Sequence, residues 1–187
     1  MVMSDQDKRD GLVASGTRGG KQPKPILPNL NNCGDIGLKI ARDGTWFYQG
    51  GPINRKPLVK LFASVLRCED DGFYLVTPVE KVPIAVEAEP FVAVELMQEG
   101  SGTGQRLTFR TNVDDVVTAD TDHPIGFRAE AGGHAPYVVV RDGLRARLAR
   151  PVYYELTALA VEAESDAGKA TGVWSGGAFF PFPMGEE

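Results

Sequence analysis

Two stretches of this chain, one from Ile36 and one from Ile125, pass through the same features in the same order. That constrains the fold more than any single motif. The first reads IGLKIARDGTWFYQGGPINRKPLVKLFASVL and the second IGFRAEAGGHAPYVVVRDGLRARLARPVYYELTAL. Each opens on Ile-Gly with an apolar and a basic residue, crosses a glycine turn into an aromatic strand, and reaches a basic residue and a proline that start a helix. An acidic turn follows each helix, Asp70-Asp71-Gly72 or Glu164-Ser165-Asp166, and then an aromatic strand, GFYLVTP or GVWSGGAFFPF. The shared order implies duplication, and with it an α+β fold of two similar β-rich units, each with one helix packed on a sheet.

Periodicity sorts the elements. Leu58, Val59, Leu61, Phe62, Val65 and Leu66 recur at helical spacing and lay one apolar stripe on one face. Pro57 suits the first turn, where its missing N–H costs nothing, and the Asp70-Asp71-Gly72 turn is expected to close the helix. The second helix carries Val152, Tyr153, Leu156, Leu159 and Ala160. Between them FYLVTPV, VPIAVEA, FVAVELM and RLTFRTN have the β-branched and aromatic content of strands. The 22 glycines and 13 prolines fit many short strands and turns. Residues 1–30 mix charge, glycine and proline without a period and are expected to form a flexible arm. The first unit is then expected over 31–100 and the second over 101–187.

The net charge of −5 argues against nucleic acid or an anionic membrane as the main partner. No apolar run approaches the length of a transmembrane helix, and MVMSDQDKRDGLVASG lacks the apolar segment of a secretory signal, so a cytoplasmic location is expected. Cys33 and Cys68 fit free thiols in a reducing compartment rather than a disulfide framework, although a redox pair stays open.

No catalytic constellation stands out. His123 and His134 are the two histidines, and no G-x-S-x-G accompanies them, which argues against a serine hydrolase. Asp114, Asp115, Asp120, Asp122 and His123 fit neither a calcium loop nor a zinc pattern and read as turn residues around a short strand. GSGTGQRL leads into a strand and reads as a hairpin turn, and SGTRGGKQ lacks the spacing of a phosphate loop. Basic and aromatic residues remain. Arg55 and Lys56 start one helix, and Arg141, Arg145, Arg147 and Arg150 precede the other, where a cation opposes the helix dipole. Arginines so placed either pair with acids elsewhere or offer a bidentate fork to a phosphate or carboxylate.

Together DGTWFYQGGPINRKPLVKLFASVL, DGFYLVTPVEKVPI, EPFVAVE, TNVDD and PYVVVRDGLRARLARPVYYEL resemble a bacterial family of uncharacterised function, domain of unknown function 1285, over about residues 30–183. The resemblance implies a duplicated α+β core with a C-terminal half like a pleckstrin-homology domain. It also implies a nucleotide-like ligand between the halves and a part in signal transduction. It assigns no catalytic residue.

The expected function is a non-enzymatic ligand-binding or regulatory module, with no metal and no cofactor, whose site lies in the groove between the units. Trp46, Tyr137 and Tyr153 would stack a ligand, Arg55, Arg141 and Arg150 would hold its anion, and Glu80 or Asn112 would read its polar edges. Two alternatives stay open: a protein-interaction adaptor without a small ligand, and a metal-dependent hydrolase using Asp114, Asp115 and His123.

Overall fold

The computed structural model describes residues 31–32, 36–165 and 168–183; the arm expected over 1–30, Cys33 and Asp166 lie outside them. A two-residue strand, β1 (Asn31–Asn32), precedes the hairpin of β2 (Leu38–Ile40) and β3 (Trp46–Tyr48). Leu38 and Ile40 face the core and Lys39 faces outward, as the two-residue strand period requires. The Asp43-Gly44 turn joins them, with Gly44 at φ +83° and the Asp43 carboxylate accepting the Thr45 N–H at 2.9 Å. Gln49 and Gly50, both at positive φ as a two-residue hairpin loop demands, lead into β4 (Gly51–Pro52).

The expected helix is α1 (Lys56–Val65), with proline in its first turn. Its burial departs from the apolar stripe: Leu61 is 60% exposed while Ala63 is buried, because only a narrow face of the helix meets the sheet. Its end departs as well. Leu66 is already extended, and β5 (Leu66–Glu69) pairs at once with β6 (Gly72–Val76), Leu66 opposite Leu75. Asp70-Asp71 is therefore a hairpin turn and not a helix stop. β7 (Glu80–Val86) completes this meander and pairs in parallel with β2 and β1.

The second sheet begins with β8 (Phe91–Glu99), β9 (Arg106–Thr111) and β10 (Val116–Thr118), and the GSGTGQ segment is the expected turn between β8 and β9. A second meander follows: β11 (Ile125–Glu130), β12 (Gly133–Arg141) and β13 (Leu144–Leu148). Next come α2 (Arg150–Ala158) and a three-stranded sheet of β14 (Val161–Ser165), β15 (Gly168–Ser175) and β16 (Ala178–Pro181).

The first sheet runs β4-β3-β2-β7-β6-β5 and the second β10-β9-β8-β13-β12-β11. Counted from its own first long strand, each sheet has the order 3-2-1-6-5-4, two meanders joined by one parallel pair, β2 with β7 or β8 with β13. The symmetry is thus real in topology, but its register is not the one read from the sequence. The Ile36 stretch enters the first strand of its sheet and the Ile125 stretch the fourth of the other, and α1 lies inside its sheet's strand run while α2 follows the other's. The turn-strand-turn-helix order recurs because a meander ending in a basic-Pro helix start occurs twice, at non-equivalent places. The sheets divide between Val86 and Phe91, so β8 joins the second unit although the expected boundary was at 100.

One continuous apolar core runs from Leu38 through Phe91, Phe109 and Leu148 to Phe180. Polar clamps bridge the sheets. Asn112 accepts the Val92 N–H at 3.0 Å and donates to the Gly44 carbonyl at 3.1 Å, while Arg141 pairs with Asp115 and donates to the Ala63 carbonyl of α1 at 2.8 Å.

Candidate functional site: a cleft between the two sheets

The end of a strand and the start of the next helix meet at Leu148-Ala149-Arg150, and the β2–β3 turn of the other sheet lies across from them. Between them is a cavity of about 630 Å³. The turn supplies Arg42 and Asp43, β12 supplies His134 to Pro136, β13 supplies Arg147, and α2 supplies Arg150 and Tyr153. Strand alternation explains Arg147: Leu144, Ala146 and Leu148 are buried, which turns Arg145 and Arg147 to the opposite face. Arg150 opens α2, whose first turn contains no acid and whose N-cap, Ala149, makes no side-chain cap. The partial positive charge of the helix start is therefore unneutralised locally.

The lining carries three guanidinium groups against one carboxylate, Asp43. Hydrogen bonds from Thr45, its backbone N–H first, hold the Asp43 carboxyl below its ordinary range, so it stays ionised as a turn-former on the rim. Arg42 and Arg147 both reach Glu130 at the end of β11, at 3.2 and 3.5 Å. Glu130 also accepts from Arg128 at 2.6 Å. Arg128 pairs in turn with the buried Glu89, its Nε 2.9 Å from a carboxylate oxygen at an angle too poor for a hydrogen bond. Among the described residues the Arg150 side chain makes neither hydrogen bond nor ion pair. A planar anionic group in this cleft would meet one free guanidinium, two shared ones and a tyrosine ring.

Of the residues expected to form the site, Arg150 and Tyr153 come together here. Trp46 and Asn112 line a smaller hollow of about 240 Å³ on the other side of the β2–β3 turn, with Lys56 and Lys60. Trp46 is 1% exposed and stacked on Phe62 at 6.2 Å, so its ring is committed to the core. Glu80 edges an apolar cavity of about 410 Å³ inside the first unit. Tyr137 lies under the Arg145 guanidinium at 4.5 Å, and a Cβ at Gly126 would come within 2.5 Å of its ring. Arg141 is taken up by Asp115 and Ala63, over the Phe91 ring, and Arg55 stands exposed at the N-cap of α1. None of these cavities is lined by more than one of Arg55, Arg141 and Arg150. A surface turn and a hairpin rim have no periodic signal, so Arg42, His134 and Glu130 were not legible; Arg147 was, through the alternation of LRARL.

Three aspartates of NVDDVVTADTDH have structural partners. Asp114 pairs with Lys60 and Arg110, Asp115 with Arg141, and Asp120 accepts the N–H groups of Asp122 and His123. Among the described residues no group of three His, Cys, Asp or Glu is gathered as a metal site.

Comparison with curated proteins finds no match. A crystal structure of a DUF1285 family protein from Silicibacter pomeroyi is similar at 48% identity and a TM-score of 0.77, covering 87% of this chain and 88% of that one. Another, from Shewanella baltica, is similar at 28% identity and a TM-score of 0.53, covering 66% of this chain and 91% of that one. The model described as "Domain of unknown function (DUF1285), N-terminal domain" matches residues 27–89, and "Protein of unknown function (DUF1285), C-terminal domain" matches 90–182. Their junction falls between β7 and β8, where the two sheets also part. With the two models matching adjoining stretches over residues 27–182, the chain belongs to the DUF1285 family.

Proposed function

We propose that this protein is a ligand-binding regulatory module that takes a nucleotide-like anionic molecule in the cleft between its two units. The observation that carries the reading is the 630 Å³ cavity lined from both units by Arg42, Arg147, Arg150 and Tyr153. A cleft between two packed units is where small-molecule sites tend to form. Its main charged groups are guanidinium ions, which bind and orient anions, and binding is the role they support best. A role in signal transduction inside the cell goes with it. Duplication and a pleckstrin-homology-like second unit belong to the same proposal, supported by the matching strand orders and by a run of largely antiparallel strands followed by one helix, α2.

The test is a thermal-shift and calorimetric screen of nucleotides against the full chain. A phosphate-bearing nucleotide is expected to raise the melting temperature. Arg150→Ala is expected to weaken that ligand about 10- to 100-fold, the worth of a charge-assisted contact, and Tyr153→Ala about tenfold. A screen in which no nucleotide shifts the wild-type protein, or a ligand indifferent to both substitutions, overturns the proposal.

A further inference from the structure

We infer that Glu130 is a built-in competitor for the anion, setting the affinity of the cleft and tying its occupancy to the contact between the two units; this rests on the reading just proposed. The Glu130 side chain is 21% exposed at the end of β11, where three guanidinium groups converge on one carboxylate. Arg128 has a second partner, Glu89, which is 4% exposed and matches its charge. Glu130 is therefore the counter-ion left for Arg42 and Arg147, the two cleft arginines from opposite units.

An incoming phosphate or carboxylate finds Arg150 free and must share the other two with Glu130. Five N–H donors per guanidinium make sharing possible. The ligand nevertheless pays repulsion from an ionised carboxylate held against its own counter-ions. The coupling has a direction. A ligand that draws on Arg42 weakens the Arg42–Glu130 pair, which joins the β2–β3 turn to the β11–β12 hairpin across the units. The neighbouring Glu87 separates this from the general field. It accepts the backbone N–H of Arg42 at 3.0 Å and pairs with Lys39, and among the described residues it makes no hydrogen bond or ion pair with a cleft guanidinium, feeling Arg42 only as a nearby charge.

The experiment titrates a fluorescent ribose-labelled ADP analogue, with inorganic pyrophosphate as competitor, against the wild type, Glu130→Gln, Glu87→Gln and Arg150→Ala. Glu130→Gln is expected to bind about three- to tenfold tighter, the effect of one partly screened charge, while its melting temperature falls or holds. Glu87→Gln is expected within about twofold of wild type by the same screening argument. Wild-type binding that Glu130→Gln leaves unchanged or weakens overturns the inference alone, as does equal tightening by Glu87→Gln. No binding by either wild type or Glu130→Gln overturns both the inference and the cleft reading. Hydrogen exchange gives a second readout: the probe should speed exchange of residues 41–45 in the wild type, and those residues should already exchange fast in Glu130→Gln. A probe that binds and slows exchange there in both proteins removes the coupling.

Discussion

Gly44 shows how much one residue of the β2–β3 turn carries. Its φ of +83° favours glycine, and a Cβ there would stand 2.6 Å from Asn112 Nδ2 and 2.9 Å from Val92 Cγ2, both in the second unit. Gly50 has nearly the same φ, +81°, with nothing within 4 Å. The pair separates backbone strain from interface clash. Gly50→Ala is expected to cost about 1 kcal/mol and Gly44→Ala about 2–4 kcal/mol in urea unfolding, since only the second must also displace a polar clamp. Equal costs would mean that the turn yields freely against the second sheet. The sequence marks Asp43-Gly44 as a turn, but nothing in it says that the turn lies against a strand about fifty residues on.

At the scale of elements, α1 is held to the second sheet by polar contacts at two points, Ala63 through Arg141 and Lys60 through Asp114. Arg141→Met is expected to destabilise by about 2–4 kcal/mol, because Asp115 and a helix carbonyl lose a partner together; a chevron or urea titration measures it. Asp114 adds a pH signature. Its carboxyl is held below the ordinary 3.8, first by the hydrogen bond from Lys60. A depressed carboxylate pKa contributes stability that is fully present above the unfolded value and lost as pH falls through the folded one. Asp114→Asn should therefore flatten the fall of melting temperature below about pH 4, where the unfolded-state carboxyl begins to titrate. A slope unchanged from wild type would assign the acid sensitivity to other carboxylates. Most strands and α1 were legible as elements because burial on one face writes a period into sequence. GVWSGGAFFPF, expected as one strand, instead spans the turn of the β15–β16 hairpin, and β14 stands between α2 and the expected acidic turn. The end of α1 was not, since LRCE can serve a helix or a strand until β6 offers Leu75 as partner for Leu66.

Across the whole molecule the two units share one core, which argues for one cooperative unfolding step. Trp46 lies in the first unit and Trp174 in the last sheet, and the chain has two tryptophans, so each substitution leaves a local reporter. In Trp174→Phe the Trp46 fluorescence midpoint should coincide with that of circular dichroism, and in Trp46→Phe the Trp174 midpoint should do likewise, at lower denaturant because a core ring has shrunk. Separated midpoints would show the units unfolding independently. The same continuity places the cleft between the units on a firm frame, with Arg42 on one wall and Arg150 on the other.

What the sequence determined by itself was local or compositional: the helices that begin at Arg-Lys-Pro and Arg-Pro, most of the strands, the turns at Asp43-Gly44 and Gly100–Gly104, the mixed α+β class and the family. It also marked Arg150 and Tyr153. Tertiary structure alone decided that the symmetry is a 3-2-1-6-5-4 strand order in each sheet and not the Ile36–Ile125 correspondence, because strand order is fixed by which backbone edges meet across long separations. It also decided that Arg141 is a clamp, that Trp46 is core, and that Arg42, Arg147 and Glu130 share one charge network. A guanidinium looks the same in sequence whether it faces a carboxylate or an open cleft, and only the packing of the two units distinguishes the two.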